Sequence, residues 1–173
     1  MSERPYRVTV VCWGNICRSP MGEYLLREAF EDAGLGDRVE VDSAGTSAEE
    51  QGNGMHPRTA AVMRRNGHAD TGWSAHRARR FEAGWFEGSD LVLPVDHEHE
   101  HRLRRLAADD GERAKIRLFR SFDPAAVASG DLGMDDPWYG TDPAYDRTYA
   151  EIVAAVPGIV EHVRTELKAR NQL

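Results

Sequence analysis

The sequence has few cysteines, no long apolar run and no excess of positive charge, and each absence excludes a class of protein. Its 173 residues include only Cys12 and Cys17, which are too few and too close together for a disulfide framework. No stretch approaches the roughly 20 apolar residues that a membrane-spanning helix needs. The net charge of −7 argues against a general nucleic-acid binder, although a local site can still be positive.

The chain also lacks a signal-peptide pattern and internal repeats. The N-terminal segment 1–6 is short and polar, and it lacks the apolar core of a signal peptide. We therefore expect a cytoplasmic protein without a membrane partner. Export by a route that needs no signal peptide stays open. The length fits a single domain spanning residues 1–173. At this size the folded chain can bury about 70% of the surface that the unfolded chain exposes, so it needs no metal or disulfide to hold a core. We expect a monomer.

What the chain does contain is a regular alternation of β-branched runs and helical patterns. The strands are predicted at residues 7–12, 39–41, 91–93 and 116–119. Helices are predicted to begin at the cap Ser19 and to cover residues 57–66, 100–108 and 145–169, the last with a bend at Pro157. This order predicts an α/β fold with a four-stranded parallel sheet flanked by helices on both faces. Ligands bind beyond the carboxyl ends of such strands, where Cys12 lies.

The segment that follows the first strand has the composition of a phosphate-binding loop. Gly14 and Asn15 tolerate unusual backbone angles, so the loop can curl until its N–H groups converge on one point. The following helix adds positive potential, and Arg18 offers two parallel donors to phosphate oxygens. The same donors would stabilise a Cys12 thiolate acting as nucleophile. The predicted loop consists of Trp13, Gly14, Asn15, Ile16, Cys17 and Arg18.

The spacing between Cys12 and Arg18 is a weak signal alone, but the whole segment is specific. Cys-Trp-Gly-Asn-Ile-Cys-Arg-Ser resembles the signature of low-molecular-weight protein-tyrosine phosphatases, in which Cys-X-Gly-Asn-X-Cys-Arg-Ser follows an N-terminal strand. The resemblance implies hydrolysis of phosphotyrosine through a phosphocysteine intermediate, without a metal or another cofactor. It implies tyrosine-phosphorylated proteins as partners and inorganic phosphate as product. The turn Ser43-Ala44-Gly45-Thr46 favours a bacterial member.

A departing phenolate needs a proton, so we expect an acid that is distant from Cys12 in sequence. Asp136-Pro137-Trp138-Tyr139 resembles the Asp-Pro and aromatic segment of the family, which implies that Asp136 is the general acid. Asp135 lacks the following proline and is expected to be solvated. Trp13, Trp138 and Tyr139 are predicted to form the walls around the phenyl ring of the substrate.

The resemblance also implies a hydrogen-bond network beneath the loop, formed by Asn15, Ser19, Ser43 and His76. In this network Asn15 would hold the strained loop, and Ser19 would donate towards the Cys12 sulfur. Cys17 has two interpretations, a small buried residue or the partner of oxidised Cys12 in a regulatory disulfide, and the sequence leaves both open.

The chain departs from the family in the loop after the second strand. Glu49 and Glu50 stand where relatives often carry an aromatic wall, and His56 stands where they usually carry aspartate. Two glutamates would disfavour strongly acidic phosphopeptides nearby.

Other functions share parts of this sequence pattern. Arsenate reductases resemble the same scaffold but need further cysteines, and protein-arginine phosphatases carry threonine where Ile16 stands. A phosphoprotein-binding module would lack turnover. The segment 96–101 is rich in histidine, and His97 and His101 would share one helix face, as metal-binding pairs do. A solvated helix start is the simpler interpretation, and the sequence alone does not decide between them.

Overall fold

A computed structural model describes residues 3–173 of the chain. Its strands are β1 (Tyr6–Cys12), β2 (Val39–Gly45) and β3 (Leu91–Pro94). Its α-helices are α1 (Arg18–Asp32), α2 (Pro57–Arg65), α3 (Trp85–Gly88), α4 (His97–Leu106), α5 (Asp110–Arg113), α6 (Pro124–Ser129) and α7 (Asp142–Ala169). Single 3₁₀ turns cover Trp73–Ala75, Phe119–Phe122 and Pro137–Tyr139.

The three strands form a parallel sheet with β1 in the centre, between β2 and β3. The register places Cys12 opposite Gly45 of β2, and Val11 opposite Pro94 of β3. The carboxyl ends of all three strands therefore meet at one edge, where the loop after β1 begins. The predicted α/β fold with a parallel sheet is confirmed.

The prediction of a fourth strand at residues 116–119 is wrong. Only one bridge forms there, because Val92 accepts from the N–H of Arg117 and donates to the carbonyl of Lys115. The next donor along β3 would be Pro94, which has no N–H, so the ladder cannot continue. The chain turns instead into the 3₁₀ turn Phe119–Phe122.

Successive residues of β1 point to opposite faces of the sheet, and each face has its own apolar cluster. Val8 and Val10 pack into the larger cluster, with side chains of α1 and α7. Val11 packs on the other face, with Phe86 of α3 and Leu103 of α4. Helices thus cover both faces, which explains why five of the seven residues of β1 are apolar.

The long helix α7 continues through Pro157, the position at which a bend was predicted. The next residue, Gly158, packs directly on the backbone of Phe122, where a Cβ atom would overlap the carbonyl oxygen. Between residues 3 and 173, no helix combines the length and the apolar character needed to cross a bilayer.

Candidate active site

The loop between β1 and α1 wraps around the sulfur of Cys12. Asn15 adopts a φ of +61°, a left-handed conformation in which its N–H points at Cys12 Sγ, at 3.3 Å. The helix α1 begins at Arg18, earlier than the predicted cap at Ser19. Ser19 therefore lies inside the first turn, where its Oγ is 3.0 Å from Cys12 Sγ. The sulfur thus faces two polar hydrogens, which is an environment that stabilises a thiolate.

The structure brings together the four residues of the predicted network. Asn15 Nδ2 donates to Ser19 Oγ at 2.8 Å and to Ser43 Oγ at 2.9 Å. His76 Nε2 donates to the carbonyl oxygen of Asn15 at 2.7 Å. Ser19 Oγ accepts from Asn15, and its own proton has two acceptors within reach, the Cys12 sulfur at 3.0 Å and the carbonyl oxygen of Ala44 at 3.4 Å. The network therefore holds the Ser19 hydroxyl beside the sulfur while it also holds the left-handed residue.

Two further residues belong to this network and were not predicted from the sequence. The Ser43 hydroxyl donates to Glu23 Oε1 at 2.6 Å, and Glu23 also pairs with Arg27 Nη2 at 2.6 Å. Burial raises the pKa of Glu23, which is only 2% exposed. Glu23 follows Ser19 by four positions on one face of α1, so helical spacing could have revealed it.

The second missed member is Arg79, whose backbone N–H donates to Asn15 Oδ1 at 3.1 Å. A main-chain donor has no side-chain signature in the sequence, so no pattern could have identified this contact. It places the backbone of Arg79 under the loop as a structural support.

Gly45, at the end of β2, sets how closely the loop can approach the sheet. The N–H groups of Thr46 and Ser47 donate to the carbonyls of Cys12 and Trp13, at 2.9 and 3.0 Å. A Cβ atom on Gly45 would collide with the carbonyl oxygen of Trp13. Only glycine fits this close approach of two backbones.

Arg18 is buried and connects the loop to residues 134–136, just before Trp138 and Tyr139. Its Nη1 donates to the carbonyl of Met134 at 2.7 Å, and its Nη2 lies 3.5 Å from Asp136 Oδ2. Asp136 Oδ1 accepts from the N–H of Trp138 at 3.1 Å. Asp136 is thereby fixed above the guanidinium, whereas Asp135 is exposed, as expected.

Asp96 also approaches Arg18, with its Oδ2 3.8 Å from Arg18 Nη1. Its Oδ1 accepts from the N–H of His97 at 2.7 Å, so Asp96 is the cap of α4. Asp96 can cap α4 and approach Arg18 at the same time, because each of its two carboxylate oxygens contacts a different partner.

A pocket of about 180 Å³ opens above the sulfur. Trp13, Trp138 and Tyr139 line it together with Glu49 and Glu50, and their role as walls for a substrate ring stays a prediction. The Trp13 Nε1 donates to Glu49 Oε2 at 3.1 Å, so this glutamate fixes the orientation of the indole. The remaining lining residues are Cys12, Gly14, Ile16, Cys17, Arg18 and Asp136.

Cys17 occupies a different environment from Cys12. Both thiols are free and buried. Cys17 Sγ lies 3.5 Å from the hydroxyl of Tyr145, and burial raises the pKa of Cys17 to about 12. A disulfide between Cys12 and Cys17 stays a prediction.

The histidine-rich segment forms the start of α4. His97 and His101 are exposed, and His99 is buried. Within residues 3–173, no three side chains of histidine, cysteine, aspartate or glutamate come together as a metal-binding group. Metal binding by the pair His97 and His101 stays a hypothesis.

A small α/β fold with a nucleophilic thiol in an anion-binding loop is typical of enzymes that transfer phosphoryl groups through cysteine. Comparison with known proteins narrows this class. Residues 7–170 match the family model described as low molecular weight phosphotyrosine protein phosphatase. A low molecular weight protein-tyrosine-phosphatase from Streptomyces coelicolor is 47% identical over 95% of this chain and 98% of its own length. Phosphatase A from Mycobacterium tuberculosis is 38% identical over 96% of each chain.

Solved structures agree with this relationship. YfkJ from Bacillus subtilis superposes with a TM-score of 0.83 at 26% identity, over 95% of this chain and 98% of that one. Wzb from Escherichia coli K30 gives a TM-score of 0.75 at 28% identity, over 92% and 99%. The chain belongs to the low-molecular-weight phosphotyrosine protein phosphatase family, and its activity class is protein-tyrosine phosphatase.

Proposed function

We propose that the chain hydrolyses phosphotyrosine in proteins, with Cys12 as nucleophile, Arg18 as phosphate clamp and Asp136 as general acid and base. Family membership supports the reaction class. The observation that carries the residue assignment is the environment of the Cys12 sulfur, which receives the Asn15 N–H and the Ser19 hydroxyl at the floor of the pocket. The related Wzb crystallised in complex with sulphate, a tetrahedral oxyanion like phosphate.

In the first step the Cys12 thiolate attacks phosphorus and the bond to the tyrosine oxygen breaks. Arg18 and the N–H groups of the loop hold the three non-bridging oxygens and stabilise the charge that develops on them. Asp136 gives its proton to the departing phenol oxygen. The fixed position of Asp136 over Arg18 supports this role, because acid and clamp then approach the same phosphate.

In the second step Asp136, now a carboxylate, takes a proton from water while the water oxygen attacks phosphorus. The sulfur–phosphorus bond breaks, inorganic phosphate leaves and the thiolate returns. The Ser19 hydroxyl, 3.0 Å from the sulfur, stabilises the leaving thiolate. The charge is neutralised by Arg18 and by backbone donors, so the proposed mechanism uses no metal and no other cofactor.

Aromatic side chains support selectivity for tyrosine. Trp138 is 54% exposed and Tyr139 is 84% exposed, and their rings pack edge to face beside the pocket that Trp13 also lines. A phenyl ring can pack against these aromatic side chains. Phosphotyrosine is longer than phosphoserine, so its phosphate can reach the sulfur at the bottom of the pocket. Ile16 adds an apolar floor, which suits an aromatic ester better than a charged guanidine.

We further propose that residues 1–173 form a single domain that acts as a monomer in the cytoplasm on tyrosine-phosphorylated proteins, without nucleic-acid or membrane partners. The net charge of −7 supports the absence of a nucleic-acid partner. Outside the pocket, the exposed large apolar residues of the described chain are scattered along it, which supports a monomer.

The assignment is tested by replacing the nucleophile. Cys12→Ser should lower turnover of an aryl phosphate by more than about 1000-fold, because serine is a far weaker nucleophile in a loop built for a thiolate. The variant should still bind a phosphotyrosine peptide, measured by calorimetry. Cys17→Ser, whose side chain faces Tyr145, should lose less than about tenfold. Retained turnover in Cys12→Ser would overturn the proposal.

A further inference from the structure

A second concave surface lies next to the catalytic pocket and is rich in arginine. This arginine groove, of about 290 Å³, has Arg80, Arg102 and Arg105 among its lining side chains, and Glu82 is its only acidic one. Apolar contact surface comes from Leu106, which is 42% exposed. The groove is positive in a protein whose net charge is −7, so this local charge departs from that of the whole molecule.

Two similar sequence segments build the groove. His76-Arg77-Ala78-Arg79-Arg80 runs along the end of β2, and His101-Arg102-Leu103-Arg104-Arg105 forms the last turns of α4. In each segment the central apolar residue, Ala78 or Leu103, is buried. Burying it leaves the flanking arginines at the surface, where the two segments face the same groove.

The arginines of the groove are poorly neutralised. In the part of the chain that the structure describes, no carboxylate lies within 4.0 Å of the guanidinium of Arg80 or Arg105. Arg102 has one partner, Glu98, at 3.6 Å on the exposed side of α4. The neighbouring Arg79 and Arg104 point elsewhere, to Asp42 and Glu100. Arg80 and Arg105 therefore offer unused donors to an incoming anion.

Trp13 connects this groove to the catalytic pocket. Its ring lines the pocket, and the guanidinium carbon of Arg102 lies 4.5 Å from the ring centroid. At its Nε1 edge, Trp13 is hydrogen-bonded to Glu49. A peptide whose phosphotyrosine occupies the pocket would meet positive charge beyond the Arg102 face of Trp13 and negative charge beyond the Glu49 edge.

We propose that the arginine groove binds carboxylate side chains of the substrate protein, so that the enzyme prefers phosphotyrosine with acidic residues on one side only. The proposal rests on the proposed function, because the phosphotyrosine must occupy the pocket above Cys12. Guanidinium groups bind carboxylates through two parallel hydrogen bonds. Glu49 and Glu50, which line the catalytic pocket, repel acidic residues that come near them, so the positive and negative surfaces together fix the direction in which the peptide lies.

The test compares three phosphotyrosine peptides, with two acidic residues before the phosphotyrosine, with two after it, or with neutral residues on both sides. One acidic peptide should exceed the neutral one in kcat/KM by about three- to tenfold, and the other should not. The difference should shrink in 0.5 M salt, since exposed ion pairs are screened.

A variant pair assigns the preference to the groove. Arg80→Ala/Arg105→Ala should abolish the difference between the peptides and leave turnover of a small aryl phosphate unchanged. The control Arg64→Ala/Arg117→Ala removes the same charge from exposed sites outside the groove and should retain the preference. Both pairs keep the catalytic residues, so small-substrate turnover reports the proposed function separately from the groove.

Three results would overturn the groove proposal. They are equal kcat/KM for all three peptides, equal gains for both acidic peptides, and a preference that survives in Arg80→Ala/Arg105→Ala. Binding of the wild type to phosphatidylserine vesicles that is lost in this variant, without any peptide preference, would assign the groove to a membrane surface instead. Absence of aryl phosphate turnover in the wild type would contradict the proposed function itself.

Discussion

Asn15 combines two requirements that few other residues can meet together. Its backbone adopts a left-handed φ of +61°, which costs most residues about 1–2 kcal/mol and costs asparagine less. Its amide donates to Ser19 and Ser43 and accepts from the N–H of Arg79. Glycine would satisfy the backbone alone, and another polar residue would satisfy the network alone. The site therefore depends on asparagine for shape and for hydrogen bonding at once.

At the same scale, Asp136 provides a test that separates an acid from a structural residue. Asp136→Asn keeps an acceptor for the N–H of Trp138 but has no proton to donate. For aryl phosphates with poor leaving groups we expect kcat to fall by about 100-fold, because their departure needs protonation. Aryl phosphates with good leaving groups should lose far less.

The measurement is a series of aryl phosphates of increasing phenol pKa. Asp135→Asn serves as the control, since Asp135 is exposed and paired only loosely with Arg147 at 3.7 Å. An equal loss across the series in Asp136→Asn would assign the proton to another group.

At the scale of elements, helices and strands were predicted correctly where the spacing of apolar residues and the hydrogen bonding of the backbone agreed. The β-branched run of β1 and the spacing of α7 were sufficient to locate those elements. The run at residues 116–119 has the same composition as a strand, but its pairing partner carries Pro94, whose missing N–H ends the ladder. A single-strand pattern cannot show which neighbour it will meet, so the error lay in the pairing.

In the site, too, some residues could be predicted from a sequence pattern and others could not. The loop Cys12–Arg18 was predicted from the family signature, and the network residues Ser43 and His76 from the wider resemblance to the family. Glu23 and the backbone N–H of Arg79 were missed, since one is a buried carboxylate without a motif and the other is a main-chain group. The early start of α1 was also missed, because Ser19 uses its hydroxyl at the sulfur and no side chain caps the helix.

The helix α7 gives a prediction in which packing opposes intrinsic propensity. Gly158→Ala should destabilise the protein by about 2–3 kcal/mol, because the added Cβ overlaps the carbonyl oxygen of Phe122 and overpacking outweighs the helix propensity of alanine. Urea denaturation gives the free energy of unfolding. The control Val153→Ala, on the exposed side of α7, should change that free energy by less than about 0.5 kcal/mol. A stabilised Gly158→Ala would show that the helix can shift away.

At the scale of the whole molecule, two apolar clusters share the central strand, so we expect the chain to unfold as one unit. Its stability should depend on pH through His99, which is 1% exposed and whose Nδ1 has no partner within residues 3–173. Burial, with the nearby charge of Arg18, lowers the pKa of His99 to about 3 from its usual 6.5. Below pH 6.5 the imidazole of His99 binds a proton in the unfolded chain but stays neutral in the folded chain.

Stability should therefore fall as pH decreases from about 6.5 towards 3, and His99 should add up to about 1.4 kcal/mol per pH unit to that slope. His99→Leu should have a shallower slope than the wild type in urea denaturation between pH 6.5 and 5. His101→Leu, exposed on the same helix, should keep the wild-type slope. Identical slopes for all three proteins would show that His99 is protonated in the folded state.

The different surroundings of the two cysteines have a practical consequence for anyone who prepares the protein. With a pKa of about 12, Cys17 stays a neutral thiol at pH 7 and reacts poorly with alkylating reagents. Iodoacetate should then attach to the other sulfur only, giving one carboxymethyl group per chain in a mass spectrum. The number of groups incorporated would count the competent molecules in a sample, so an alkylating reagent becomes a titrant for the concentration of active enzyme.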